Sequence, residues 1–268
     1  MNTLAEIIEK KKTEVAERKR LYPLALLERS SYFNTPPVSL KRYLTRSDKT
    51  GIIAEFKRKS PSKGMINEYA PVERTTIGYM QAGASALSVL TDTSFFGGYN
   101  HDLTTARTFN FCPILRKDFI IDEYQVLEAK SIGADAVLLI AAALSAAEIM
   151  KLAALSKSIG MEVLMEVHEP ADLEKICDEV DIVGVNNRDL KTFAVSLATS
   201  QQLAPLIPGS VLKISESGIN SPSDVLALRA MGYQGFLMGE VFMKHSRPDM
   251  AARKFMDELR RQTKPASV

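Results

Sequence analysis

From residue 51 onward the chain alternates short apolar runs with longer amphipathic stretches. The runs are GIIAEFK (51–57), ASALSVLT (84–91), CPILRKD (112–118), ADAVLLIA (134–141), MEVLMEVH (161–168), DIVGVNN (181–187), VLKISES (211–217) and GFLMG (235–239). Each is short and apolar through its middle, the pattern of a buried strand. The stretches between them carry helical periodicity; in SAAEIMKLAALSKSIG, Ile149, Leu152 and Leu155 recur on one helical face. Gly83, Gly133, Gly160 and Gly232 stand just before four of the strands, where a helix must stop. Near-continuous apolar strands separated by helices predict an all-parallel sheet. Eight of them in roughly 220 residues favour a closed (β/α)8 TIM barrel. The alternative, an open doubly wound sheet, lacks its usual GxGxxG after the first strand.

Residues 1–50 read as an N-terminal helical extension. Leu4, Ile8 and Val15 form an apolar stripe, and YPLALLERSSYF and SLKRYL suggest two further short helices. The extension either plugs one end of the barrel or packs by the mouth and supplies substrate contacts. No low-complexity linker or charge block divides the chain, so residues 1–268 are expected to form a single barrel domain with its extension.

Composition narrows the function classes. The net charge of the 268 residues is +2 and is spread along the chain, so no nucleic-acid partner is expected. Cys112 and Cys177 lie far apart without CxxC spacing, which suits a reducing, cytoplasmic location. The start, MNTLAEIIEKKKTEVAERKR, lacks the apolar core of a signal peptide. No run of about 18 apolar residues appears, so no membrane partner is expected. His101, His168 and His245 sit in unrelated segments, without metal-ligand spacing.

Polar residues gather at the strand ends: Glu55 and Lys57; Arg116, Lys117 and Asp118; Glu166 and His168; Asn186, Asn187 and Arg188; Glu216 and Ser217. In a parallel barrel these ends meet at one face, where the chemistry sits. Strand alternation puts Ile53, Glu55 and Lys57 on one side, Leu164 and Glu166 on one side, and Leu212, Ile214 and Glu216 on one side. The carboxylates and lysines would crown the packed interior and neutralise one another, with a bound anion completing the balance. SESGI and MGEVF, after the seventh and eighth strands, suit a phosphate; Gly218 and Gly239 let backbone N–H groups approach it. Glu240 would repel a phosphate and is expected to turn its side chain away. A second anion site is read from Lys57, Ser60 and Lys63 around a Pro-stiffened loop, with Arg188, suited to a carboxylate, joining from across the mouth. Arg58, Lys59 and Lys63 are expected to be a solvated charge run.

IIAEFKRKSPSKG, LSVLTDTSFFGG, PILRKDFIIDEYQ, VLMEVH, VGVNNRDLKTF, SESGI and GFLMGE, in this order, resemble the indole-3-glycerol-phosphate synthase family, in its monofunctional form. The match runs from about residue 4 to the C-terminal helix. The resemblance implies a carboxy-lyase of tryptophan biosynthesis. Such an enzyme closes the indole ring of 1-(2-carboxyphenylamino)-1-deoxyribulose 5-phosphate, with loss of CO2 and water. It implies Lys117 as the general acid at the ketone oxygen and Glu166 as base or proton carrier in the loss of water. Lys57 would pair with the substrate carboxylate or act as an acid during dehydration, and which lysine serves which step stays open. Glu55 and Glu216 would hold lysines and substrate hydroxyls; Asn186, Arg188 and Ser60 would lie near the substrate carboxylate and ring. Ser217, Gly218, Gly239 and Glu240 match the phosphate loops, and Phe96 and Leu190 would wall the ring. No cofactor is implied, because the iminium formed on ring closure is itself the electron sink. The partner expected is a phosphorylated small molecule, and the protein is expected as a monomer or weak homo-oligomer. Rival readings are another phosphate-handling barrel enzyme, such as a Schiff-base aldolase, and a non-catalytic phosphate-ligand binder.

Overall fold

The computed structural model describes residues 3–263. Eight strands close into a barrel: β1 (Ile52–Phe56), β2 (Ala86–Leu90), β3 (Ile114–Lys117), β4 (Ala136–Ile140), β5 (Glu162–Val167), β6 (Ile182–Asn186), β7 (Leu212–Glu216) and β8 (Gly235–Met238). All neighbours are parallel, and β8 pairs back onto β1 with Ile53 opposite Leu237. Each strand lies inside the apolar run that predicts it.

Three helices precede the barrel: α1 (Thr3–Leu21), α2 (Leu24–Leu27) and α3 (Leu40–Leu44). The outer ring comprises α4 (Val72–Ala82), α5 (Asn100–Phe109), α6 (Glu123–Ser131), α7 (Ala146–Ser158), α8 (Ala198–Leu203), α9 (Pro222–Ala230), α10 (Glu240–Met243) and α11 (Pro248–Thr263). Local chemistry sets their ends. Ser145 with Glu148, and Ser221 with Asp224, form capping boxes at α7 and α9. The four glycines expected as helix stops all have left-handed φ, between 81° and 103°. β5 and β6 are linked by a 3-10 helix (Pro170–Lys175) rather than an α-helix. That connection is short and opens on a proline, which leaves little room for regular turns.

Strand alternation splits the core in two. Ile53, Leu115, Leu138, Leu164, Ile182, Ile214 and Leu237 fill the barrel interior. Their outward neighbours, such as Ile52, Phe56, Leu87 and Val185, pack in one cluster with helix residues such as Tyr79, Leu103, Ile149 and Met256.

The extension reaches both ends of the barrel, through different helices. α3 plugs the bottom: Leu40 and Leu44 join the interior cluster. It is fixed there by Ser39 Oγ and Lys41 N donating to Glu162 at 2.5 and 2.8 Å, while Val38 N donates to Asp135 at 2.7 Å. α1 lies at the other end. Its Lys11 ammonium, 1 % exposed, meets Asp92 and Asp118 beyond the ends of β2 and β3, each at 2.9 Å, and Glu14 at 2.9 Å. Arg18 reaches Glu128 of α6 at 2.6 Å. The buried face of α1 therefore runs Leu4, Ile7, Lys11, Val15 and Arg18, helical spacing with charges in its middle. Among the described residues, no helix is long and apolar enough to cross a membrane.

Candidate functional site

The register of the barrel carries inward-facing charges to one rim. A cavity at the C-terminal ends of the strands is lined by Glu55 and Lys57 from β1 and the turn after it, Lys117 from β3, Glu166 from β5, Asn186 from β6 and Glu216 from β7. Ser60, Phe96, Arg188, Leu190, Ser217 and Glu240 line the same cavity. Gly218 and Gly239 line an adjoining lobe, which shares Glu55, Lys57, Arg188, Ser217 and Glu240 with it. All the candidate site residues are thus gathered at one mouth. Arg116 and Asn187 are not among them. Arg116 points outward to Glu128, at 2.6 Å. Asn187 donates to Ser215 Oγ and to the Glu216 and Ser217 carbonyls, holding the turn after β7.

On the cavity floor the Lys117 ammonium sits 2.7 Å from Glu166 Oε2 and 2.7 Å from Glu216 Oε2. Asn186 Nδ2 donates to Glu166 Oε1 at 3.1 Å. Lys57 pairs with Glu55 Oε1 at 2.8 Å, and Ser88 Oγ donates to the other Glu55 oxygen at 3.4 Å. Gly184 makes room for this arrangement: a Cβ there would lie 2.2 Å from Glu216 Oε1.

Two carboxylates share one ammonium, and their environments separate them. Burial opposes the charge on Glu166, yet Lys117, His168 and the Asn186 amide outweigh it and hold its carboxyl down at about 2. Burial, with the neighbouring Glu166 and Glu55 charges, pushes Glu216 up to about 7 despite Lys117. Glu216 Oε1 is buried and has no hydrogen-bond partner, which agrees with that direction. Burial also works against the charge on Lys117, but Glu166, Glu216 and Glu55 raise its pKa above the ordinary lysine range. Below about pH 7 the trio therefore holds an ammonium, a carboxylate and a neutral carboxyl.

The cavity has an apolar wall. Phe96 and Phe119 lie with ring centroids 5.8 Å apart, and Leu4 and Ile7 of α1 face the same space as Leu190 and Phe193. Asp92 Oδ1 accepts from the Phe95 and Phe96 amides at 2.8 and 3.1 Å, and Asp118 Oδ1 from the Phe119 amide at 2.8 Å. Lys11 bridges these two capping carboxylates. One side chain of α1 thus ties down both aromatic residues.

The adjoining lobe combines tight backbone turns with two lysines, and Glu55 and Glu240 also line it. Ser217 and Gly218 both have left-handed φ, 65° and 75°, which turns the chain sharply at the end of β7. A Cβ on Gly218 would meet Val195 at 2.5 Å. The first amides of α10, after Gly239, have no partner within their helix. Lys57 and Lys63 add positive charge.

Two expectations are corrected. Glu240 does not turn away: its side chain reaches across the mouth, 3.3 Å from Arg188 Nη2 and 3.9 Å from Lys63. The two cations at the rim supply the reason. Arg58 is not solvated: Asp102 accepts from it at 2.5 and 3.0 Å, and its guanidinium lies 4.8 Å over the Phe56 ring. Lys59 donates to the Ser94 carbonyl, so only Lys63 of that run is exposed. The sequence reading placed Leu4 only in an apolar stripe of the extension, and it missed Phe119, Phe193, Ile7, Lys11 and Gly184. Among the described residues no group of three or more His, Cys, Asp or Glu side chains could hold a metal ion.

A family model described as indole-3-glycerol phosphate synthase matches residues 4–255. A protein from Bacteroides thetaiotaomicron with that name is 46% identical over 258 residues, covering 96% of this chain and 98% of its own. Two solved structures are similar in fold alone. One, titled "Native KDPGal structure", has a TM-score of 0.57 at 10% identity over 81% of this chain and 95% of its own. The other is from a tryptophan synthase complex of Pyrococcus furiosus, with a TM-score of 0.57 at 14% identity over 78% of this chain and 97% of its own.

Proposed function

The chain belongs to the indole-3-glycerol phosphate synthase family, and from that premise we propose how the mouth of its barrel carries out the reaction. The activity is the family's: ring closure, decarboxylation and dehydration of 1-(2-carboxyphenylamino)-1-deoxyribulose 5-phosphate, giving indole-3-glycerol phosphate, CO2 and water. The substrate's phosphate sits in the lobe of Ser217, Gly218, Gly239 and the start of α10. Its benzoate carboxylate faces Lys57, Arg188 and Ser60, and its ring lies along Phe96 and Leu190. The ketone between these anchored ends comes down on Lys117.

Attack of the ring carbon on the ketone builds negative charge on oxygen. The alkoxide is a stronger base than any amine, so proton transfer from the Lys117 ammonium runs downhill despite its raised pKa. Glu166, held ionised, takes up and carries the proton exchanged in the later loss of water. Neutral Glu216 keeps a second negative charge away from Lys117, and Glu55 orients Lys57. CO2 leaves as its bonding electrons pass into the iminium, without an added electron sink. The two free cysteines suit a reducing cytoplasmic compartment.

The observation that carries this reading is the Lys117 ammonium between two carboxylates, beside a lobe of tight turns and lysines that suits an anion. The test is to add the substrate to the purified protein and follow indole emission. With no tryptophan in the chain, its own fluorescence does not mask the product. A rise in indole emission with release of CO2 is expected. No product, or a borohydride-trapped adduct on Lys117 or Lys57, counts for the binder or the aldolase instead.

A further inference from the structure

The reaction takes up a proton that the site must import. The substrate carboxylate leaves as neutral CO2, so each turnover consumes one proton from solution. Two protons go to the ketone oxygen, which departs as water, and only one comes back from carbon. Half-buried Lys117 and buried Glu166 lie on the cavity floor, beneath the place assigned to the substrate above. A route that reaches Glu166 without crossing the substrate would serve this uptake.

β5 supplies a group in the right place. His168 follows the last residue of that strand and has the same parity as Glu166. Its Nε2 lies 3.4 Å from Glu166 Oε1, the oxygen turned away from Lys117. Both ring nitrogens are buried, and among the described residues neither has a hydrogen-bond partner. An imidazole with two uncommitted nitrogens beside a carboxylate is free to pass a proton through. The ring, 14 % exposed, also lines an outer crevice that adjoins the cavity and shares Leu4, Asn186, Arg188 and Leu190 with it. Glu169 and, from the 3-10 helix it caps, Asp172 and Lys175 face that crevice, with Arg188, Asp189 and Lys191 from the turn after β6. The His168 amide donates to Asp172 Oδ2 at 2.9 Å, which fixes the main chain that carries the ring.

We propose that His168 is the proton inlet of the active site, acting through Glu166 and passing one proton per turnover from the outer crevice to its carboxylate. The inference rests on the functional reading above. In the step, the imidazolium Nε2–H bond breaks, its electron pair stays on the ring, and an O–H bond forms at Glu166 Oε1. A turn of the carboxyl group then brings that proton to the Lys117 amine, discharged when the ketone was protonated. The ring is reprotonated by water or buffer entering from the crevice, which must reach a nitrogen that is buried in the resting structure. Timing follows from electrostatics: the Lys117 charge holds Glu166 ionised, so Glu166 gains proton affinity only once Lys117 has given its proton away.

The experiment compares wild type, His168→Gln and His168→Ala with the phosphorylated substrate. In both variants kcat is expected to fall about tenfold or more while KM changes little, and the solvent deuterium isotope effect on kcat to grow. Imidazole added to His168→Ala should restore kcat in proportion to its concentration and leave wild type unaffected. A residue that merely packs would show neither the enlarged isotope effect nor the rescue. Wild-type kcat and isotope effect in His168→Gln, or a loss in His168→Ala that imidazole does not relieve, overturns the proposal. A wild-type protein that makes no indole product overturns the functional reading itself.

Discussion

Gly184 in β6 provides a sharp test of how the carboxyl pair is held. The substitution Gly184→Ala adds one methyl group, whose carbon would lie 2.2 Å from Glu216 Oε1 and 3.1 Å from Leu164 Cδ1. Ordinary contact begins at 3.4 Å, so the carboxyl must retreat by about 1.2 Å. Its other oxygen is held 2.7 Å from Lys117, and a displacement of that size breaks or lengthens the bond. Misplacing a group by about 1 Å costs on the order of 10²-fold in rate, so kcat is expected to drop about a hundredfold. The stability cost should stay within the ~1–3 kcal/mol typical of an overpacked site, because the atom that moves is a side-chain tip. Indole emission gives the rate and urea unfolding gives the stability. Gly184→Ala turning over at the wild-type rate, or unfolding with the rate loss fully explained by a smaller folded fraction, would refute the reasoning.

Two further outcomes follow from the buried charges. Lys11→Met strips the cation from Asp92 and Asp118, both 1 % exposed; removing one partner of a buried pair typically costs about 3–5 kcal/mol. Urea unfolding should show that loss, and an unchanged midpoint would mean that Arg116 and the amides alone satisfy the two carboxylates. For Glu216 the folded state raises the carboxyl from the ordinary 4.5 to about 7. The folded chain therefore keeps a proton that the unfolded chain releases, and this group's contribution falls as pH rises from about 4.5 to about 7. Glu216→Gln removes that contribution, so its stability relative to wild type should climb across the same window and be flat above it; a flat difference throughout would contradict a protonated Glu216.

Much of the architecture was legible because one period dominates each element. The strands stood out as apolar runs, and their alternation placed Glu55, Glu166 and Glu216 on the inward side before any coordinates. α1 was harder. Its buried face passes through Lys11 and Arg18, whose charges are cancelled by Asp92, Asp118 and Glu128 from distant segments. Read by hydropathy alone, that face breaks in the middle and Ile8 takes the place of Ile7. Gly184 looked like any small residue in a strand, since its purpose depends on Glu216 in the neighbouring one. Glu240 was misread for the same reason: Arg188, its partner, is 52 residues away. Phe119 lay within the motif PILRKDFIIDEYQ, yet its place on the wall depends on Phe96 from another loop.

The central claim is that Lys117 donates the proton on which ring closure depends. Steady-state turnover of Lys117→Ala, read by indole emission against wild type, tests it most directly. The account predicts a kcat lower by about 10²–10⁴ with KM largely kept, because the phosphate lobe and the Lys57–Arg188 side of the cavity are intact. A variant that forms indole product at the wild-type rate would contradict it.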